Sequence, residues 1–327
     1  MNILIVDSGV IPAQKYGGTE RVIWYLGKEL SKMGHKVTFL VAKDSYCDFA
    51  TVLFFDPTKS LSGQIPSSTD IIHFNFVPAE TIEKPYIVTI HGNCNDFREF
   101  DLNAIFVSKN HASRFGSDSF VYNWLDWDDY GNPDLDCKRE YFHFLGKAAW
   151  RVKNVQGAID VIKATTHEEL LVLGGHRLNL KMGFRFTRSS RIHFYGMVGG
   201  REKNALLSKS KGLIFPVRWH EPFGLALIES LFFGCPIFGT PYGSLPEIIH
   251  PEVGFLSNDA GELVREIESV DQFSRLRCQN YVMDLFNSKK MAESYLEKYL
   301  NVLNGNKLNS CPPKLIEKQT AKLLEWK

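Results

Sequence analysis

Residues 220–249 read HEPFGLALIESLFFGCPIFGTPYGSLPEII, and this stretch decides the fold. A loop with an acid, a proline and a glycine leads into an apolar helical run, a short apolar strand and a turn. On one continuous helix, Glu221 and Glu229 would lie about 12 Å apart along the axis, too far to share a proton. If Glu221 lies instead on the loop before the helix, both carboxylates can face one ligand.

The same alternation of strands and helices extends in both directions from this stretch. Apolar runs that end in turn residues predict buried parallel strands. The predicted strands are NILIVDSG, HKVTFLVAK, ATVLFF, DIIHFN, PYIVTIHG, NAIFVSK and SFVYN, then YFHFLGK, ELLVLGG, RIHFYG, GLIFPV and PIFGT. Predicted helices include NVQGAIDVIKAT, REKNALLSKS and one that begins near Phe223. The pattern predicts an α/β fold of two tandem Rossmann-like, doubly wound domains that face each other across a cleft.

A change in sequence composition predicts the position of the domain border. The segment WLDWDDYGNPDLDCKRE is polar and holds Gly and Pro, which is typical of an interdomain linker. We therefore predict an N-terminal domain over 1–137 and a C-terminal domain over 138–305, with the last helix, 287–304, packing back on the N-terminal domain. Residues 306–327 form a basic tail.

Composition excludes several classes of function. A chain of 327 residues with a net charge of +1 has no electrostatic reason to bind nucleic acid. Its six cysteines are scattered and form no C-x-x-C pair, which indicates reduced thiols rather than disulfides or a zinc site. With no secretory leader and no long apolar run, we expect a cytoplasmic protein. The basic tail could contact anionic lipid at the inner face of the membrane, or dock on the protein itself.

The helix predicted after Glu221 offers a site for an anion. A proline is tolerated at a helix start, and the backbone amides of Phe223, Gly224 and Leu225 would then be unpaired and attract phosphate. Glu229, further along the helix, suits paired hydroxyls such as those of a ribose. Taken alone, both acids could equally be solvated or capping side chains.

The stretch closely resembles the C-terminal signature of family 4 retaining glycosyltransferases, which are glycosyl transferases group 1 enzymes of the GT-B fold. Their signature has two glutamates separated by seven residues, with FG-L between them. This chain meets it with Glu221, Phe223, Gly224, Leu225 and Glu229. The resemblance implies that Phe223, Gly224, Leu225 and Glu229 bind the donor and that Glu221 acts in catalysis.

Other segments resemble the family in matching order along residues 1–300. KYGGTERV resembles the glycine-rich loop that places Gly17 and Gly18 near the donor phosphates, although Gly-Gly alone would suggest a turn. TIHG places His91 where the family has a catalytic histidine, although a lone histidine at a strand end is often structural. In VYNWLD, Trp124 replaces the usual glycine.

FLGKAAWRVKN resembles the segment that binds the donor diphosphate through an arginine and a lysine. Lys147 and Lys153 occupy these positions, so a lysine replaces the arginine and its bidentate fork, for which Arg151 could compensate. The acids of DWDD (126–129) and DLD (134–136) resemble a metal motif of another glycosyltransferase fold. Because they fall in the linker, we expect solvated acids and no metal cofactor.

The resemblance implies transfer of a sugar from a nucleoside diphosphate sugar, UDP rather than GDP, to a glycan or lipid-linked hydroxyl with retention of anomeric configuration. Two alternatives stay open: a GT-B sugar-nucleotide epimerase and a non-catalytic sugar-nucleotide-binding protein. A dinucleotide-dependent dehydrogenase does not fit, because DSGVIPAQKYGG lacks the G-x-G-x-x-G pattern.

Overall fold

The computed structural model describes residues 1–13, 17–179 and 185–327. Lys15 and Tyr16 of the glycine-rich segment lie outside the described residues. The chain divides into two compact units. Unit 1 comprises residues 1–126 and 286–319, and unit 2 comprises residues 127–285 and 320–327.

Short strands and helices alternate along both units. Up to residue 126 they are β1 (Asn2–Val6), α1 (Gly18–Lys32), β2 (Lys36–Val41), β3 (Thr51–Phe54), β4 (Ile71–Phe74), β5 (Tyr86–Ile90), β6 (Ala104–Phe106) and α2 (Lys109–Arg114). There follow β7 (Tyr141–Leu145), α3 (Val155–Ala164), β8 (Leu170–Leu173), β9 (Leu178–Asn179), β10 (Arg185–Phe186), β11 (Ile192–Phe194), α4 (Gly200–Ser208), β12 (Ser210–Phe215), α5 (Leu225–Phe232), β13 (Ile237–Gly239), α6 (Leu245–Ile248), β14 (Gly254–Leu256), α7 (Ala260–Glu268), α8 (Arg275–Leu285) and α9 (Ser288–Leu303).

Unit 1 is built on a parallel sheet in the order β3-β2-β1-β4-β5-β6. The order reverses at β1, as in a doubly wound fold, so the predicted fold class is confirmed for this half. The prediction of a strand at SFVYN is wrong: Phe120 makes only an isolated bridge to Phe106. Helix α9 packs on α1 and β5, and its Tyr299 hydroxyl is hydrogen-bonded to His73 Nδ1 at 2.8 Å.

Unit 2 repeats this plan with a parallel sheet in the order β11-β8-β7-β12-β13-β14. Its strands are mainly apolar because helices cover both faces of the sheet, and two polar exceptions, His143 and Ser210, bond to each other. The reversal at β7 again confirms the predicted doubly wound arrangement. In such sheets, ligands bind beyond the carboxyl ends of the strands, which here are followed by the loops that carry Lys147 and Glu221.

The segment predicted to be a solvated linker is packed at its start. The Trp127 ring stacks on Phe232 with centroids 4.6 Å apart, and Tyr130 meets the same ring edge-on. These contacts place residues 127–130 with unit 2, whereas the sequence-based border falls after residue 137. The difference arises because two aromatic side chains within a polar segment are buried against α5.

The basic tail also lies on the protein and contains no helix among its residues 306–327. In unit 1, Leu315 is buried and the Phe100 amide donates to the Pro313 carbonyl at 2.8 Å. In unit 2, Trp326 packs against the core, and the Leu324 amide donates to the Arg218 carbonyl at 2.9 Å. Because Leu315 and Trp326 pack against the protein, only the exposed residues of the tail could contact a membrane.

Three buried histidines and the half-buried His91 predict that the fold loses stability in mild acid. Burial, which disfavours the imidazolium, lowers the pKa of His91 to about 4 and those of His73, His111 and His143 to about 3. Below the unfolded value near 6.5, the unfolded chain binds protons that the folded chain excludes. Stability is therefore complete above that pH and falls by about 1.4 kcal/mol per histidine for each pH unit below it.

We expect the midpoint of thermal unfolding, Tm, to fall steeply between about pH 6.5 and pH 4. The variant His143→Gln, whose amide can still reach the Ser210 and Ser230 hydroxyls, should show a shallower decline. A Tm that stays constant across this interval would contradict the assignment of neutral, buried imidazoles.

Candidate active site

Glu221 lies on the loop between β12 and α5 and is 6% exposed. Its Oε2 accepts a hydrogen bond from Lys153 Nζ at 2.6 Å and another from Trp219 Nε1 at 2.8 Å. The loop backbone is fixed as well, since the Ser244 amide donates to the Glu221 carbonyl at 2.9 Å. The carboxylate is thus held in place by a cation, an indole and its own backbone.

Lys153 reaches this carboxylate from a 3-10 turn, Arg151–Lys153, that immediately precedes α3. Its ammonium lies over the rings of Phe215 and Trp219, at 5.2 and 5.0 Å from their centroids. Aromatic faces stabilise a cation by their quadrupole without using its hydrogen-bond donors. The structure therefore brings together a lysine that the resemblance assigns to the donor diphosphate and a glutamate that it assigns to catalysis.

The helix after Glu221 begins later than predicted. Its first residue is Leu225, with Gly224 as the N-cap in a left-handed conformation at φ +87°. The predicted helix start near Phe223, with Pro222 at the N-terminus, is wrong. Gly224 has a left-handed conformation, and such a residue cannot lie within a right-handed helix. The first amides of a helix have no partner within it, so those of Leu225 and its successor form the anion-attracting terminus.

Glu229 lies on the inner face of α5 and is 2% exposed. Its Oε1 accepts a 2.7 Å hydrogen bond from the Tyr130 hydroxyl and a short one from Lys203 Nζ. The Lys203 ammonium also lies over the Tyr130 ring, 5.4 Å from the centroid. The second glutamate thus repeats the arrangement of the first, with a lysine and an aromatic hydrogen-bond donor on one carboxylate.

Sequence reasoning did not identify Lys203 and Tyr130. A signal for Lys203 does exist, since it lies four residues before Leu207 and both are buried on one face of α4. A lysine on the apolar face of a helix requires a buried partner. Tyr130 gave a weaker signal, an aromatic residue in an otherwise polar segment.

Lys147 follows β7 in unit 2 but is not joined to the pair formed by Lys153 and Glu221. It is exposed, and its ammonium lies over the Trp150 ring at 5.0 Å from the centroid. Trp150 is itself 40% exposed. Lys147 therefore offers a solvated cation near the carboxyl end of the sheet, whereas Lys153 offers a largely buried one.

His91 lies in unit 1, directly after β5, and is half-buried. Its Nε2 is 2.9 Å from Asn75 Oδ1, and Asn75 Nδ2 donates to the Val6 carbonyl at 3.2 Å. Because this second bond orients the amide, Oδ1 is the acceptor and the imidazole carries its proton on Nε2. Burial lowers the pKa of His91 to about 4, so the ring is neutral near pH 7. Asn75 is a further residue that sequence reasoning missed.

Gly17 is the N-cap of α1, and Gly18 is the first helical residue. A Cβ at Gly17 would lie 2.8 Å from Ala13 Cβ, so a larger residue would require the turn to shift. Burial and the nearby charge of Glu20 raise the pKa of Asp7, which precedes the loop. These two acids reduce the attraction of the turn for phosphate, and donor binding by Gly17 and Gly18 stays a prediction.

Within the described residues, no group of three or more His, Cys, Asp or Glu side chains is arranged to hold a metal ion. Among the same residues, helices that combine the length and the apolar character needed to cross a bilayer are absent. Asp128, Asp129, Asp134 and Asp136 of the acidic segment are exposed, as predicted. The prediction of a solvated acid is wrong for Asp126, which is 4% exposed and pairs with Lys28 Nζ at 2.7 Å.

Comparison with known proteins gives a consistent result. Residues 139–271 match the family model described as "Glycosyl transferases group 1". A curated relative, N-acetyl-alpha-D-glucosaminyl L-malate synthase of Bacillus anthracis, is 26% identical over 211 residues, which is 57% of this chain and 54% of that protein. The match therefore spans about half the length of the curated relative.

Solved structures extend the likeness to the whole fold. AviGT4, a glycosyltransferase involved in avilamycin A biosynthesis, superposes with a TM-score of 0.75 at 19% identity, covering 93% of this chain and 98% of that one. Anabaena Alr3699/HepE in complex with UDP and glucose gives a TM-score of 0.65 at 14% identity, covering 92% and 100%. The GT-B fold is thereby shown for both units, and residues 139–271 are similar to the glycosyl transferases group 1 family.

Proposed function

We propose that this protein transfers a sugar from a nucleoside diphosphate sugar to a hydroxyl of a glycan or lipid-linked acceptor, with retention of anomeric configuration. The observation that carries the proposal is the buried pair of Lys153 and Glu221 beside the N-terminus of α5. A cation for the diphosphate and a carboxylate for sugar hydroxyls lie next to each other there. The two signature glutamates support membership of family 4 within the group.

The reaction creates charge that the site must stabilise. As the bond between the sugar and the diphosphate breaks, negative charge grows on the leaving group and positive charge on the sugar ring. Lys153, Lys147 and the first amides of α5 are suited to stabilise the leaving diphosphate. A partly buried cation such as Lys153 contributes more than one in bulk water, because the local dielectric constant is lower.

The remaining residues position the two substrates. Glu221, fixed by Lys153 and Trp219, is suited to accept hydrogen bonds from the donor sugar and to face the developing cation. The acceptor hydroxyl attacks the same face of the sugar that the diphosphate leaves, and a leaving phosphate oxygen takes its proton. His91, neutral and protonated on Nε2, would act through hydrogen bonds rather than as a charged acid.

We favour UDP over GDP as the nucleotide, since the structurally similar Alr3699/HepE binds UDP and glucose. The proposal includes no metal, because the lysines and amides can meet the charge of the diphosphate. It also includes a peripheral membrane contact of the tail, for which the 67% exposed Ile316, between two lysines, is the best placed residue. For a lipid-linked acceptor, such a contact would bring the enzyme to its substrate.

A thermal-shift screen with UDP-glucose, UDP-N-acetylglucosamine and GDP-mannose tests the proposed function. A ligand at 100 times its Kd stabilises the fold by about 2.7 kcal/mol, which raises Tm by several degrees. We expect one donor to do so equally with and without EDTA. A donor effect that requires a divalent cation would contradict metal independence, and no effect of any nucleotide or nucleotide sugar would contradict donor binding.

The epimerase alternative shares these donor contacts and is separated by chemistry. When the protein is incubated with the donor alone, NMR should show an unchanged sugar configuration. Conversion of the donor into its epimer would replace the transferase proposal. A non-catalytic binder would give the thermal shift but no transfer to any acceptor.

A further inference from the structure

Unit 2 holds Glu229 through two side chains that come from different segments of the chain. Lys203 lies on α4, and Tyr130 lies in the 3-10 turn Trp127–Tyr130. Both donate to the same atom, Oε1 of Glu229. A carboxylate oxygen that accepts two hydrogen bonds is fixed in orientation, and the position of its second oxygen is fixed with it.

Burial makes this arrangement rigid. The side chains of Lys203 and Glu229 are 9% and 3% exposed. The Tyr130 ring packs against Phe232 and Phe233 of the segment that carries Glu229, with centroids 5.9 and 6.4 Å away. Neither donor can move away without breaking a buried contact. A surface ion pair such as Arg98 with Asp96 has no comparable constraint.

We propose that Lys203 and Tyr130 are positioning residues that hold the Glu229 carboxylate for the ribose of the donor nucleotide and thereby determine its preference for ribose over deoxyribose. This inference rests on the proposed function. A carboxylate recognises a diol by accepting hydrogen bonds from its hydroxyls. It does so strongly only if its oxygens are oriented before the ligand arrives.

The position of the cluster is consistent with this role. Glu229 is the fifth residue of α5. The first residue, Leu225, contributes its backbone amide to the anion-attracting N-terminus. About four residues of helix, roughly 6 Å along the axis, separate the two. A nucleoside diphosphate that places its phosphate at the helix terminus can therefore reach Glu229 with its sugar.

The test compares ribonucleotides with deoxyribonucleotides. Calorimetry would give the Kd of UDP, 2′-deoxy-UDP, 3′-deoxy-UDP and inorganic pyrophosphate for the wild type, Tyr130→Phe and Lys203→Met. If GDP proves to be the cognate nucleotide, its deoxy analogues take their place. Lys211→Met is the matched control, since it breaks another ion pair of unit 2, with Glu168.

We expect the wild type to prefer UDP over at least one deoxy analogue by roughly 10-fold or more, as for a hydrogen bond to a charged group. Tyr130→Phe should reduce this preference several-fold, and Lys203→Met should largely remove it. Pyrophosphate affinity should be unchanged in Tyr130→Phe, and Lys211→Met should match the wild type throughout. A merely structural role would lower Tm and leave the preference intact.

Each outcome decides the inference. If the wild type prefers ribose and Tyr130→Phe and Lys203→Met retain the full preference, the positioning role is wrong and the proposed function survives. A wild type that binds UDP without any preference also overturns the inference. If no nucleotide binds, the proposed function fails, and the inference fails with it. Should Lys203→Met not fold, the conservative Tyr130→Phe decides the question.

Discussion

Replacing Glu221 with glutamine should reduce sugar transfer by roughly 100- to 1,000-fold, the size of effect seen when one electrostatic contact to a transition state is removed. Glutamine has nearly the same shape but no charge, so it loses the ion pair with Lys153 and cannot stabilise the developing sugar cation. UDP affinity should change little, because this carboxylate is assigned to the donor sugar and not to the nucleotide.

The measurements for Glu221→Gln are kcat with a cognate donor and acceptor, and the Kd of UDP by calorimetry. Glu168→Gln is the matched control, since Glu168 also pairs with a lysine of unit 2, Lys211 at 2.7 Å, but lies outside the assigned site. The control should keep its activity. Turnover by Glu221→Gln close to that of the wild type would remove Glu221 from the catalytic group.

Replacing Lys153 with methionine should lower both transfer and UDP affinity. The side chain keeps its apolar length beside Phe215 and Trp219 but loses the ammonium, and one charged hydrogen bond corresponds to roughly 10- to 100-fold in affinity. Transfer should fall further, because negative charge on the diphosphate increases as the sugar leaves. The variant also leaves Glu221 without its cation, so its Tm should fall.

A comparison of UDP with uridine isolates the electrostatic role of Lys153. Uridine lacks the diphosphate, so its affinity should be the same in Lys153→Met and the wild type. A parallel loss for both ligands would indicate that the variant is distorted, and an unchanged UDP affinity would show that Lys153 does not bind the diphosphate. Lys147→Met should have the smaller effect, since that lysine is exposed.

The sequence predicted the two parallel sheets because a strand covered on both faces must be apolar along its whole length. Sequence patterns predicted the ends of helices and strands less well than their existence. The start of α5 was placed near Phe223, because the left-handed conformation of Gly224 is not visible in a sequence. SFVYN has the composition of a strand, but only Phe120 pairs with a neighbour.

For the site, the family resemblance supplied Glu221 and Glu229 but not what holds them. Lys203 and Tyr130 are distant from Glu229 in sequence, and only the fold brings the three together. Asn75 is likewise 16 residues from His91 and meets it because β4 and β5 are adjacent in the sheet. Contacts of this kind depend on tertiary structure rather than on local pattern.

In the proposed site, Lys153 and the N-terminus of α5 bind the diphosphate of a nucleotide. A crystal structure of the protein with UDP tests this assignment most directly. We expect the β-phosphate within hydrogen-bonding distance of Lys153 Nζ and of the Leu225 amide, with the ribose hydroxyls at Glu229. A diphosphate bound at any other place on the protein would contradict it.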